Sequence, residues 1–225
     1  KGVNLPVFSL YADDETGLWM GNESGLYLWK DGELTTVSLA QQAASSFITF
    51  ITGFKNKLFV GTNNGVYIIE ITADGKRVIR HYGISDGLVN LETNLNSAMI
   101  EPSGKLWFGT TNGLTLFNPT TETFSTFSLN QKTALQIESI ALDPSETLWI
   151  GTSGKGLLSF NRATEKVKDY SGLLPTKKIK SVFCTSKGRL FINTEDKGLF
   201  LMNDAQTKAI KLDISSKNEN PVIIQ

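Results

Sequence analysis

Lys105–Pro119 reads KLWFGTTNGLTLFNP: a tryptophan between two apolar positions, then Gly-Thr, a polar pair, a second glycine and a new apolar run. The same pattern occurs five times. It reads LWMGNESGLYLW from Leu18, LFVGTNNGVYII from Leu58, LWFGTTNGLTLF from Leu106, LWIGTSGKGLLSF from Leu148 and LFINTEDKGLFLM from Leu190. The aromatic positions are Trp19, Phe59, Trp107, Trp149 and Phe191, spaced by 40, 48, 42 and 42 residues. Short strands recurring at a period of about 40–45 residues are the mark of β-propeller blades. The chain is therefore read as an all-β repeat array, a β-propeller of four-stranded antiparallel blades.

The third copy shows how one blade is built. LNSAMI (Leu95–Ile100) is the innermost strand and EPSGK a turn. LWFGT, LTLFN and FSTFS then supply the second, third and outer strands. Gly21, Gly61, Gly109 and Gly151 close the second strand, with Asn193 in the fifth copy. Because asparagine tolerates positive φ better than most residues, this choice predicts a left-handed backbone there. The aromatic position predicts a ring wedged between neighbouring blades, worth roughly 2–3 kcal/mol of apolar burial. Carbohydrate stacking is the competing reading for Trp19, Trp107 and Trp149.

Five blades are expected over residues 4–39, 46–83, 94–129, 136–171 and 178–214, within one propeller region spanning 1–225. The tail NPVIIQ (Asn220–Gln225) resembles NLPVFSL near the start and reads as the first strand of a further blade. A ring must close, since an open stack leaves two blade faces bare. The expectation is thus a part of a larger, seven-bladed propeller; the alternative is a five-bladed ring with the tail as a clasp.

Composition narrows the function. Charge is balanced, 22 basic against 22 acidic residues without runs, which argues against a nucleic-acid or membrane-surface footprint. The single cysteine, Cys184, excludes an internal disulfide and lies in an apolar run, IKSVFC, as a small core residue would. The single histidine, His81, falls in a predicted outer strand, a poor position for a catalytic base, and the usual zinc ligand sets are missing. GTSGKG (Gly151–Gly156) lacks the strand-to-helix setting of a phosphate loop. DDET (Asp13–Thr16) and TEDKG (Thr194–Gly198) gather oxygens without calcium-loop spacing and read as turns. No catalytic residue, metal site or cofactor is predicted.

The pattern LWxGT…GL, and above all GISDGLVNLETNLNSAMIEPSGKLWFGTTNGLTLFNPTTETFSTF (Gly83–Phe127), resembles the two-component regulator propeller repeat. The resemblance covers essentially the whole chain, with phenylalanine replacing tryptophan in two copies and Asn193 replacing glycine in the fifth. It implies the periplasmic sensor region of a bacterial hybrid histidine kinase, ahead of a Y_Y_Y-type β-sandwich, a membrane helix and the kinase regions. It also implies recognition of oligosaccharides released from glycans. A protein-interaction scaffold, with a second copy as one partner, and a propeller lyase are the other classes.

In propellers the loops leading into the innermost strands and the turns between second and third strands share one face. Those turns supply Asn63, Asn64, Thr111, Asn112, Glu195 and Asp196, along with Asn22, Glu23 and Ser153. The longest loop, GISDGLVNLETN, adds Asn90, Glu92 and Asn94. Amides and carboxylates converging on an axis suit sugar hydroxyls, which need donors and acceptors together. Polar residues also occupy turns simply because turns meet water.

Overall fold

A computed structural model describes residues 6–39, 46–129, 133 and 135–213. It contains five four-stranded antiparallel sheets. Blade 1 comprises β1 (Ser9–Asp13), β2 (Gly17–Asn22), β3 (Gly25–Lys30) and β4 (Glu33–Val37). Blade 2 comprises β5 (Ile48–Phe54), β6 (Lys57–Thr62), β7 (Gly65–Ile71) and β8 (Arg77–Tyr82). In blade 3 they are β9 (Thr93–Ile100), β10 (Leu106–Thr110), β11 (Gly113–Asn118) and β12 (Thr123–Phe127). Blade 4 follows as β13 (Ile137–Leu142), β14 (Thr147–Thr152), β15 (Gly156–Asn161) and β16 (Val167–Asp169). The fifth is β17 (Ile179–Cys184), β18 (Leu190–Thr194), β19 (Gly198–Met202) and β20 (Ala209–Lys211). Residues 4, 5 and 214, and the expected extra strand at 220–225, lie outside the described residues.

Each sheet pairs its strands in sequence order, and the innermost strands β1, β5, β9, β13 and β17 pack against one another in succession. Alternation along each strand sends one set of side chains forward to the next blade and the other back to the previous one. Four apolar cores result, one at each junction between consecutive blades. The wedge reading of the aromatic position holds in blades 1 to 4, where Trp19, Phe59, Trp107 and Trp149 are buried in those cores. Trp107, for example, packs edge-on against Phe160 of the next blade at 5.8 Å between centroids.

The glycines closing the second strand have a different cause from the one expected. Gly21, Gly61, Gly109 and Gly151 do not have positive φ, and neither does Asn193. The constraint is room. A Cβ on Gly21, Gly109 or Gly151 would meet Ile48, Ile137 or Ile179 of the next blade at 2.3, 2.7 or 2.6 Å. On Gly61 it would meet Phe50 within its own sheet at 2.2 Å. Left-handed backbone is needed instead at the glycine opening the third strand, as at Gly65, where φ is +92° and a Cβ would strike the Tyr82 carbonyl.

At the opposite end of each blade the tryptophans find a hydrogen-bond acceptor near a turn acid. Trp107 Nε1 donates to Glu101 at 2.6 Å, and Trp149 Nε1 to Asp143 at 3.0 Å. Trp19 Nε1 donates to the Thr16 hydroxyl, while the backbone N–H groups of Glu15 and Thr16 donate to Asp13. Asp13 therefore organises a turn, as its sequence context suggested.

Candidate functional site

The innermost strands of blades 2 to 5 share an irregularity that decides where the site lies. In each, the pairing with the second strand slips near the strand start. The slip leaves Thr49, Glu138 and Lys180 as single extra residues in β5, β13 and β17. In β9 it is longer, running from Asn94 to Ser97 opposite Gly109, with Asn96 at φ +52°. A β-bulge removes a residue from the ladder and re-aims its side chain. Here the bulge side chains Thr49, Asn94, Glu138 and Lys180 line one cavity of about 380 Å³, together with Phe47, Leu95 and Gln136.

Three of the expected site residues, Asn63, Glu92 and Thr111, line the same cavity. Asn90 supports its wall: its amide donates to the Thr111 hydroxyl, and its side-chain oxygen accepts the Glu92 backbone N–H at 2.8 Å. Asn64 and Asn112 are not among the lining residues and serve their turns, donating backbone N–H groups to Thr62 and Thr110. The Asn64 carbonyl also meets His81 Nε2 at 2.6 Å, which ties the lone histidine of β8 to the turn beside Asn63. Glu195 and Asp196 stand apart, paired with Lys178 and Lys197 at 3.6 and 3.7 Å. Asp196 borders a second hollow beside Lys211 in blade 5.

The polar groups of the cavity are unequally satisfied. Thr49 and Thr93 share a buried hydroxyl contact, and Thr93 donates on to the Thr62 carbonyl at 3.0 Å. Glu138 accepts from Gln136 Nε2 at 2.7 Å and pairs with Lys180 at 3.3 Å. Asn94 differs: the residue is 9% exposed, and its amide nitrogen has no hydrogen-bond partner. A buried donor left unpaired costs about 1–3 kcal/mol. Asn94, whose buried amide nitrogen lacks a partner, thus lines the cavity beside carboxylate acceptors at Glu92 and Glu138, one cation at Lys180 and apolar contact at Phe47 and Leu95. That set fits a polar ligand carrying both hydroxyl donors and acceptors.

The sequence reading put Asn94 in the loop ahead of the inner strand, whereas it lies in the bulge of β9, and it did not name Thr49, Gln136, Glu138 or Lys180 as lining residues. A signal was present in part. Glu138 and Lys180 lie 42 residues apart, the same step that separates Trp149 from Phe191. Among the described residues no group of three or more histidine, cysteine, aspartate or glutamate side chains is placed to hold a metal ion.

No protein-family model matches the chain, and no curated protein matches it. Solved structures do. The chain is similar to the extracellular domain of BT4673 from B. thetaiotaomicron, named in one structure as a one-component and in another as a hybrid two-component system, with 21% identity and a TM-score of 0.78 in both. The match covers 97% of this chain and 29% of that one. The extracellular domain of BT3049 from the same organism, also named as a hybrid two-component system, matches at 21% identity and a TM-score of 0.77. There the coverage is 95% of this chain and 30% of the other, so this chain spans less than a third of either. Virginiamycin B lyase from Staphylococcus aureus matches at 14% identity and a TM-score of 0.73, over 96% of this chain and 73% of the lyase. At these identities the likeness establishes the fold: the chain is a run of β-propeller blades.

Proposed function

We propose that the chain is the ligand-recognising propeller of an extracytoplasmic sensor in a bacterial hybrid two-component system. Its ligand is a neutral oligosaccharide of glycan origin, and its output passes to histidine kinase regions outside residues 1–225. The single observation that carries the binding role is the Asn94 amide. It is buried without a partner in the wall of a cavity built from bulges in four successive blades. A ligand hydroxyl or ring oxygen accepting from Asn94 offsets a desolvation cost that the chain's own groups leave standing. The likeness to extracellular domains named as hybrid two-component systems supports the sensor role and the extracytoplasmic location. No described helix is long and apolar enough to cross a membrane.

The lyase likeness raises an enzymatic reading, and the lyase with one histidine changed to alanine is described as catalytically inactive. The one histidine here, His81, is outside the cavity lining, in outer strand β8, bonded to the Asn64 carbonyl. Recognition without chemistry is the better fit.

The test is calorimetric titration of the protein with a panel of neutral glycan oligosaccharides, beside the same titration of Asn94→Ala and Glu138→Gln. A selective ligand should bind the parent and lose about tenfold in affinity with Asn94→Ala, the equivalent of ~1.4 kcal/mol. Binding of equal strength in both variants would move the site elsewhere. Turnover of any bound sugar would overturn the non-enzymatic reading.

A further inference from the structure

We infer that the cleft between the turns of blades 1 and 2, at the opposite end of the strands from the bulge cavity, binds a small organic monoanion: a carboxylate on an apolar body. The cleft encloses about 510 Å³, within the roughly 300–1,000 Å³ typical of small-molecule sites. Its floor is apolar, formed by Trp19, Leu28 and Ile71. Three cations line it: Lys30 at the end of β3, Lys55 in the turn after β5 and Arg77 at the start of β8. Arg77 reaches across the junction to lie over the buried Trp19 ring, 5.7 Å from its centroid, and Lys55 lies over Phe54 at 5.2 Å. Among the described residues neither Lys55 nor Arg77 is paired with a carboxylate.

One difference between repeats leaves this cleft open. Asp13 of blade 1 and Glu101 of blade 3 hold the same place, directly after the residues that pair with Leu18 and Leu106. At the junction of blades 3 and 4, Arg162 crosses from the next blade to Glu101 and, only 15% exposed, fills the space. Register puts Ile71 of blade 2 in the place of Arg162, each six residues after the glycine that opens the third strand, Gly65 or Gly156. Ile71 brings no charge across, so Asp13 is satisfied within its own turn by the backbone N–H groups of Glu15 and Thr16. Lys30 donates once, to the Glu15 carbonyl at 2.7 Å. Charge then sets the class of ligand. Three cations against two carboxylates, Asp13 and Glu15, leave the lining at a net +1, which one carboxylate cancels and a phosphate dianion overshoots. The Arg77 guanidinium presents a planar fork matched to a carboxylate, and its seat on the indole holds it ready. Trp19, Leu28 and Ile71 supply the contact for an apolar body. This site shares no residue with the bulge cavity, so the inference does not rest on the proposed oligosaccharide.

Calorimetric titration of the protein with sodium benzoate, benzamide and phenyl phosphate tests it. Benzoate should bind with a Kd of about 1 mM or below, and its uncharged isostere benzamide about tenfold more weakly. Phenyl phosphate, close to a dianion at neutral pH, should also bind more weakly than benzoate. Lys55→Gln and Arg77→Gln alter exposed side chains, which leaves the fold intact, and each should weaken benzoate about tenfold. Absence of benzoate binding up to about 10 mM would overturn the inference, as would equal binding of benzamide or tighter binding of phenyl phosphate. So would benzoate affinity that both variants keep, or that Lys180→Gln alone abolishes, since the latter places the anion in the bulge cavity.

Discussion

Between the third and fourth blades the wedge ring is Trp107, whose indole N–H donates to the buried Glu101; between the second and third it is Phe59, which has nothing to donate. The turn position of Glu101 is occupied in blade 2 by Phe54. The two junctions are therefore held by different chemistry on the same backbone plan. In the first, Arg162 of blade 4 reaches across to Glu101 and also pairs with Glu146, so an ion network ties two blades together. In the second, Phe50, Phe59, Phe108, Phe117, Phe124 and Tyr82 make a nearly continuous aromatic stack, with Phe117 and Phe124 centroids 4.7 Å apart. Tryptophan and a turn acid occur together in blades 1, 3 and 4, and both are absent from blades 2 and 5. A buried indole N–H needs an acceptor, which the acid itself supplies in blades 3 and 4 and which the Thr16 hydroxyl, in the turn that Asp13 organises, supplies in blade 1.

The largest effect should come from the aromatic junction. Phe108 is fully buried, and Phe108→Ala removes a ring from the centre of the stack. Chemical denaturation should show a loss of about 3–5 kcal/mol, the range for a buried phenylalanine truncated to alanine. That loss should be similar at pH 4 and pH 7, because the ring removed carries no charge. Next comes the ionic junction. Glu101→Ala leaves the Trp107 N–H without its acceptor and takes from Arg162 the buried one of its two carboxylate partners, and should cost about 3 kcal/mol, as breaking a buried pair does. Adding Trp107→Phe removes one orphan and should restore about 1 kcal/mol. A cost for Glu101→Ala below about 1 kcal/mol, the value of an exposed pair, would show that water replaces the acceptor.

The pH dependence separates the junctions further. Burial pushes the Glu101 carboxyl up, but hydrogen bonds from Trp107 and Ser103 and the neighbouring Arg162 outweigh it and hold the group below the usual glutamate range. A folded-state pKa below the unfolded one gives stability that is complete above the ordinary glutamate value and disappears as pH falls through the folded value. Denaturation midpoints of the parent should therefore fall more steeply below that ordinary value than those of Glu101→Gln. Parallel curves for the two proteins would remove Glu101 from the acid response.

What the sequence disclosed follows the same divide between repeated and local features. The blade architecture was legible because Leu-Trp-x-Gly-Thr and its variants recur with the period of a blade, and packing demands the same residue types each time. The turn acids were legible too, six residues ahead of Trp19, Trp107 and Trp149 at Asp13, Glu101 and Asp143, but read singly they look like ordinary turns. The glycines were correctly read as structural and given the wrong cause, because collision with Ile48, Ile137 or Ile179 is a property of two blades, which one strand's sequence does not display. The cavity was half legible. Asn63, Glu92 and Thr111 sit on loops whose polarity drew attention, while Thr49, Glu138 and Lys180 sit inside strands. A bulge has no residue signature of its own, and these three share neither size nor charge.

Asn94 gives the smallest stability effect and the sharpest contrast with Glu101. Both are buried polar residues, yet Glu101 is fully engaged and Asn94 has an amide nitrogen with no partner. The Asn94 backbone carbonyl accepts from Ser97, so the bulge keeps that bond when the side chain is cut back. Truncation also opens no sealed void, because the side chain borders a cavity that already exists. Asn94→Ala should thus change unfolding free energy by less than about 0.5 kcal/mol, or raise it as the cost of the unpaired amide is removed. A destabilisation of about 2 kcal/mol or more would mean that the amide holds the fold through a contact made in solution. Near-neutral stability, with ligand affinity lost, gives the two buried polar residues different roles, Glu101 joining blades and Asn94 held ready for a ligand from outside the chain.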